Sequence, residues 1–465
     1  MKSCGTTTIR EPGSFRDPNG YVFYREGEVF RYISRSGLND LNLLISSGLY
    51  ENLVHAGKLI EFEKCGNADI ENGIFVRAEK IEFISYPYQW CFNLYKDAAL
   101  LTLDIMKAAL RYDMWLKDAS AYNIQHNNGR LVLIDILSFE KYPEGKPWIA
   151  YRQFCQHFLV PLLLMAKVDI RMNNLMQLYL DGIPLDLAVK LLPFKTMFSP
   201  LYAIHIYLHA RYQKKYEKHT CGSKLRKSKL SRKGLENMLN SLISAVSVLK
   251  IKNVMTEWSD YYTSTNYSDI AFSEKKMIIS KFLDKISPKR VCDMGANNGE
   301  FSRLEELQFT SIIACDVDSM AVDKNYCHNR SKNIKNVLPL QLDITNPSPA
   351  IGWMNEERHS FLEQCEFDLI LALALIHHLV IANNVPLKSC ASFFAPITEY
   401  LIIEFIPKAD SQVQILLKSR KDIFTDYTES AFESSFKEYF NIINKRIIQN
   451  STRSIYLMKK KKIRS

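Results

Sequence analysis

The chain has 465 residues, of which 47% are hydrophobic and 24% charged. That is the composition of a folded globular protein and excludes a disordered one, and the length predicts two domains of ~100–200 residues each. The net charge of +10 admits a polyanionic partner, but much of it lies in two places, Arg211 to Lys233 and the tail Lys459 to Arg464. Neither carries a recognisable nucleic-acid motif, so nucleic acid is a possible but not the expected partner, and a solvated linker and tail are expected.

In chain order, Met1-Lys2-Ser3-Cys4-Gly5 leads into polar residues without an apolar signal region, so a cytoplasmic protein is expected. Tyr21–Phe23 and Val29–Ile33 read as strands around a turn at Glu26-Gly27, and Leu38–Leu53 as a helix. Lys58–Glu63 and Ile81–Ser85 read as two further strands. Leu94 to Tyr112 is a longer amphipathic helix, with Leu94, Ala98, Leu101, Ile105 and Ala108 on one face. The most apolar run, Phe158 to Ala166, contains Pro161 and is about half the ~18–20 residues that cross a bilayer, so no membrane span is expected. The ten cysteines show no CxxC pairs and no zinc spacing with histidine, and are expected to be reduced and structural, with no metal site.

Between these elements, Leu116-Lys117-Asp118-Ala119-Ser120-Ala121-Tyr122-Asn123 is followed, after a turn at Asn127-Asn128-Gly129, by Leu131-Val132-Leu133-Ile134-Asp135. This arrangement resembles the catalytic loop and metal-binding aspartate of the protein-kinase and aminoglycoside-phosphotransferase superfamily. The resemblance implies that Asp118 orients an acceptor hydroxyl and that Asn123 and Asp135 hold magnesium on ATP. Leu116-Lys117 and Ile136-Leu137 depart from that family's pattern. No glycine-rich phosphate loop is visible, and Arg31 is the nearest basic residue for the third strand. A hairpin whose Asp and Asn cap turns is the alternative.

After the basic segment the texture changes to apolar strands alternating with helical segments, which predicts an α/β fold with a mostly parallel sheet. Val291-Cys292-Asp293-Met294-Gly295 is a strand ending in an acid and a glycine, followed by Ala296, Asn297, Asn298, Gly299 and a helix-like Glu300–Leu307. Gly295 permits a tight turn and Gly299 a close approach of backbone to a ligand. A second strand, Ser311–Cys315, ends at Asp316, suited to accept ribose hydroxyls. A third, Val337–Leu342, ends at Asp343, suited to an adenine amino group. Phe367–Ala372 is the fourth strand, whose Asp368 joins the cofactor-binding candidates, and Tyr400–Phe405 the fifth. His377 and His378 follow the fourth strand and Glu404 lies in the fifth. These three are the catalytic candidates, the alternative for the histidines being a ring that packs in the wall or caps a strand end.

From about Glu257 to Lys460 the sequence thus resembles the class I S-adenosylmethionine (SAM)-dependent methyltransferases. Asp293, Gly295 and Gly299 match the first motif, Asp316 the ribose acid, Asp343 the adenine-side acid and Phe367–Ala372 the fourth-motif strand. Asn297 stands where many members have glycine. A nicotinamide-binding Rossmann domain is the rival, disfavoured by the departure from G-x-G-x-x-G. The expected division is an N-terminal kinase-like or substrate-positioning domain over 1–210, a basic linker over 211–235 and a Rossmann-like methyltransferase domain over 236–465. Ser14–Pro18, Ile84–Pro87, Leu116–Asn123 and Tyr151–Cys155 also resemble bacterial methyltransferases related to the nodulation protein NoeA. Together these imply SAM as cofactor and a small-molecule or glycan acceptor. A bifunctional methyltransferase/phosphotransferase and a non-catalytic binding protein are the alternatives.

Overall fold

The structure, a computed structural model, describes residues 8–65, 73–211, 229–251, 269–418 and 420–462. They fall into two compact units, Met1–Asn253 with Ala350–His359, and Val254–Pro349 with Ser360–Ser465. The start expected near Glu257 and most of the basic segment lie outside the described residues.

In the first unit, strands β1 (Thr8–Arg10), β2 (Gly20–Arg25), β3 (Glu28–Ile33), β4 (Phe62–Cys65) and β5 (Ile74–Ala78) form an antiparallel sheet in the order β1-β2-β3-β5-β4. The β2–β3 hairpin turns at Glu26 and Gly27 with φ of 55° and 80°, the two consecutive left-handed residues that a tight hairpin needs. The helix expected over Leu38–Leu53 is two helices, Arg35–Ser46 and Leu49–His55. They are separated at Gly48, whose φ of 83° cannot continue a helix. The strand expected at Lys58–Glu63 shifts to β4. That expected at Ile81–Ser85 is irregular, and β5 takes its place in the sheet, alternating buried Ile74 and Val76 with exposed Phe75.

The helix Phe92–Arg111 buries Leu94, Ala98, Ala99, Thr102, Ile105 and Met106. Helix Arg232–Ser247, which begins inside the segment expected as linker, packs on it and belongs to the same unit. Between them lie the short strands β6 (Met114–Leu116), β7 (Ile124–Asn127), β8 (Arg130–Leu133) and β9 (Phe139–Lys141), paired as β6–β9 and β7–β8.

The second unit is built on seven strands: β10 (Arg290–Met294), β11 (Ser311–Asp316), β12 (Val337–Gln341), β13 (Phe367–Ala372), β14 (Thr398–Phe405), β15 (Phe440–Ile447) and β16 (Ser454–Lys460). Their order is β12-β11-β10-β13-β14-β16-β15. The first five in that order are parallel, and β16 joins β14 antiparallel. The first residues of the basic tail, Lys459 and Lys460, therefore end a strand. Val291, Ala314, Leu369, Leu371, Ile402 and Leu457 pack in one core with Ile279, Phe282 and Leu283 of helix Asp269–Ile286. Full burial on both faces explains why these strands read as unbroken apolar runs. Strand order reverses between β10 and β13, and in open α/β sheets ligands bind at such a switch, outside the carboxyl ends of the strands.

Candidate active site

Three of the expected acids stand at or beside the carboxyl ends of adjacent strands: Asp293 in β10, Asp316 closing β11 and Asp343 just past β12. Their environments differ. The Asp293 carboxylate is 2% exposed and accepts the Ser302 hydroxyl at 2.6 Å. Burial pushes its carboxyl up to about 6 against the hydrogen bond from Ser302. It therefore anchors the loop that follows. Asp343 is exposed and accepts the backbone N–H and hydroxyl of Thr345.

Asp316 is half-buried. One of its oxygens accepts the Asn297 N–H at 2.7 Å and the other the Asp318 N–H at 2.8 Å. The Val317 N–H adds to these donors, and a carboxylate has about four acceptor sites, so room is left for a further donor such as a ribose hydroxyl. Burial raises its carboxyl to about 6 despite those N–H donors.

The loop between β10 and the next turn is built on three left-handed residues, Gly295 (φ 78°), Asn297 (φ 50°) and Gly299 (φ 79°). Asn is the side chain that best tolerates this region after glycine, which gives Asn297 in place of glycine a backbone reason. Its side chain also accepts the Asn298 N–H at 2.8 Å. Gly299 is also constrained by its protein neighbours. A Cβ there would lie 2.5 Å from the Asn325 side chain and 2.7 Å from Arg303, so the glycine admits protein atoms. Arg303 in turn donates to the Asn298 carbonyl at 2.7 Å and to Asn325 at 2.9 Å. The expected helix Glu300–Leu307 is two short turns, Phe301–Arg303 and Glu305–Leu307, broken at Leu304, whose ψ of 145° is extended.

Beyond β13, Ala374 holds a φ of 49°, a left-handed position that costs a non-glycine residue ~1–3 kcal/mol. Glu404 secures it, accepting the Ala374 N–H at 2.8 Å and the Lys275 ammonium at 2.7 Å. Glu404 is fully buried, with Arg453 3.8 Å away. The structure thus makes this expected catalytic acid a fixed counter-ion that positions the β13 loop. Lys275 and Arg453, its partners, lie far from any motif in sequence and were not singled out.

The loop leads to His377, 2% exposed, and His378, half-buried, their rings 4.1 Å apart. Burial pushes His378 down to about 4 and His377 well below the usual range, the latter helped by its neighbours His378, Arg453 and Lys275. Both are neutral at neutral pH. The buried Nδ1 of His377 has no hydrogen-bond partner among the described residues.

Asp368 does not join this group. It sits at the amino end of β13, where it accepts the N–H groups of Lys289 and Arg290 at 2.8 and 2.9 Å. There it lines a shallow cavity of about 440 Å³ with Arg290, Glu366 and Lys460, at the opposite edge of the sheet from Asp316. Its expected cofactor role is therefore corrected to tying β13 to the start of β10.

Within the first unit, Asp118, Asn123 and Asp135 do come together. Asn123 donates to Asp118 at 3.2 Å and to Ser138 at 3.4 Å, and Ser138 donates to Asp135 at 2.5 Å. Arg31 on β3 pairs with Asp135 and with Asp17, each at 2.5 Å. Burial would raise Asp135, but Arg31, Ser138 and the Leu137 N–H outweigh it and hold the carboxyl low. Burial and the charge of Asp135 raise Asp118.

The sheet order, the left-handed loop after β10 and the acid closing β11 are those of the class I SAM-dependent methyltransferase fold. The chain belongs to the family of nodulation protein NoeA: it is 35% identical to that protein from Rhizobium meliloti (strain 1021) over 458 residues, covering 96% of this chain and 95% of the relative. No protein-family model matches. Among solved structures it is similar to the bifunctional kinase-methyltransferase WbdD, at 17% identity and a TM-score of 0.29, covering 44% of this chain and 43% of that one. It thus spans less than half the length of WbdD. It is also similar to magnesium protoporphyrin IX methyltransferase from Synechocystis PCC 6803, at 13% identity and a TM-score of 0.31, covering 44% and 98% of the two chains. A third, the N-methyltransferase NodS from Bradyrhizobium japonicum WM9, is 10% identical with a TM-score of 0.30, covering 42% and 99%. No helix among the described residues is long and apolar enough to cross a membrane.

Proposed function

We propose that this chain transfers a methyl group from SAM to a small-molecule or glycan acceptor. The observation that carries the reading is Asp316, a half-buried carboxylate at the switch-point edge of the sheet. Backbone N–H groups of Asn297, Asp318 and Val317 hold it at the edge where ligands bind in such sheets, with acceptor capacity left for a ligand hydroxyl. Bound SAM would supply an already activated methyl on its sulfonium.

The work left to the protein is alignment and, for a protic acceptor, removal of a proton. Asp316 would take the ribose and Asp343 the adenine side, while Asp293, Gly295 and Asn297 hold the loop between them. His378 is our choice of base, since it is neutral and the more open of the pair. His377 packs behind it, and Glu404 positions the loop that carries both. The kinase-like constellation of the first unit suits recognition of an acceptor hydroxyl near Asp118. A reducing bacterial cytoplasm fits the described cysteines, most of which are buried. Calorimetric titration with SAM tests the cofactor, and mass spectrometry of a cell extract incubated with protein and SAM identifies the acceptor. No heat of binding and no methylated product would overturn the reading.

A further inference from the structure

In the first unit, helix Leu185–Leu191, the turn Phe194–Phe198 and the helical segment Ala203–Leu208 pack against one another. Together they present apolar side chains outward. Phe194 and Phe198 are each 69% exposed, although their rings touch edge to face at 5.3 Å. Ile204, Leu208, Met197 and Leu191 are exposed as well. Exposed apolar side chains gathered on neighbouring segments in this way mark a docking surface.

Its charge identifies what docks. Lys190 and Lys195 are exposed on these segments and Arg211 just beyond them, against a single carboxylate, Asp186, in the first turn of the helix. Lysine is depleted from protein–protein interfaces, yet Lys195 sits between Phe194 and Met197. Phe194 and Phe198 carry rings of the kind that stacks on bases, but Leu191, Met197, Ile204 and Leu208 are aliphatic and offer bases neither stacking nor hydrogen bonds. Apolar residues that insert among acyl chains, bordered by cations that meet headgroup phosphates, suit an anionic bilayer.

We propose that this face seats the first unit on the surface of a membrane rich in anionic lipid, without crossing it. The proposal is independent of the methyltransferase reading.

The test is co-sedimentation of the full chain with vesicles of phosphatidylcholine alone or with about one-third phosphatidylglycerol. Binding is expected only to the second, weakening as salt rises. Phe194→Ser with Phe198→Ser should weaken it at least about tenfold at an unchanged melting temperature. Lys190→Glu with Lys195→Glu should weaken it by about fivefold or more for each charge, which keeps the test decisive if the phenylalanine variant fails to fold. The proposal is overturned if the wild type stays in the supernatant with phosphatidylglycerol vesicles, or if the charge variant sediments as the wild type does. It is also overturned if the patch instead holds a dimer, or an RNA probe, that the phenylalanine variant releases in the absence of vesicles.

Discussion

The Asn297 backbone N–H donates to Asp316 at 2.7 Å, tying the loop after β10 to the tip of β11. The loop thus fixes the position of the Asp316 carboxylate. Asp316→Ala should weaken SAM binding at least tenfold, because a charged acceptor contributes about 1.5–3 kcal/mol per hydrogen bond. Titration calorimetry reads the change, and equal affinity in the variant would remove Asp316 as the ribose ligand.

The same carboxyl sets a pH dependence. With its folded value raised to about 6 from 3.8, Asp316 gains its proton as pH falls through about 6, and SAM affinity should fall with it. The stability term has the opposite sense: the contribution of a raised acid is full below 3.8 and is lost as pH rises through about 6. Asp316→Asn should therefore become more stable relative to wild type as pH rises from about 4 to about 6, while its SAM affinity loses one proton of pH dependence. A stability difference constant across that range would show that the carboxyl is not perturbed.

Glu404 and Lys275 form a buried pair, 0% and 4% exposed. Removing one partner strands the other charge without water, at a cost of about 3–5 kcal/mol. Glu404→Ala should accordingly appear in denaturant unfolding as a loss of stability of that size. A variant that unfolds as wild type does and loses only turnover would restore Glu404 to the catalytic group.

His378→Ala should lower methyl transfer about 100-fold with SAM affinity intact, the size of a general-base contribution. His377→Ala, deep in the wall, should instead lower the melting temperature. Unchanged turnover in the His378 variant would place both rings in the wall.

How much of this was legible depended on the range of the interactions. The parallel strands were readable because burial on both faces writes continuous apolar runs, and Phe367–Ala372 was expected with the bounds it has. Asp316 and Asp343 were readable because a strand end fixes where its acid points. Asp368 was grouped with the cofactor acids although the bounds of Phe367–Ala372 already put it at the amino end of its strand, away from the edge where ligands bind in such sheets. The crowding of Gly299 was not legible, because it comes from Asn325 and Arg303, which no local pattern reveals. Lys275 and Arg453 were invisible, since their pairing with Glu404 spans the whole second unit. In the first unit, Gly48 split a helix whose apolar spacing continued across it, because backbone conformation there overrides periodicity.

The last prediction concerns Arg31, which pairs with both Asp17 and Asp135. Magnesium on a nucleotide needs oxygen ligands in an octahedral arrangement, and Asn123 with Asp135 carries such oxygens. The Arg31 guanidinium already neutralises Asp135, and a dication must displace it or be repelled by it. Transfer also requires the phosphates to be covered and their charge offset. The turn between β1 and β2, Pro12–Arg16, contains Gly13 as its single glycine, which is not a glycine-rich phosphate loop. Mg-ATP hydrolysis should therefore be weak or absent, and methyl transfer should proceed without ATP. Methyl transfer and ATP turnover are to be compared in wild type, Asp118→Ala and Asp135→Ala, with and without Mg-ATP. Transfer that survives without ATP but falls in a folded Asp118→Ala protein supports a role for Asp118 in positioning the acceptor. Robust ATP turnover abolished by Asp135→Ala would instead establish a second, phosphotransferase centre, with Arg31 acting on the nucleotide phosphates as a catalytic cation.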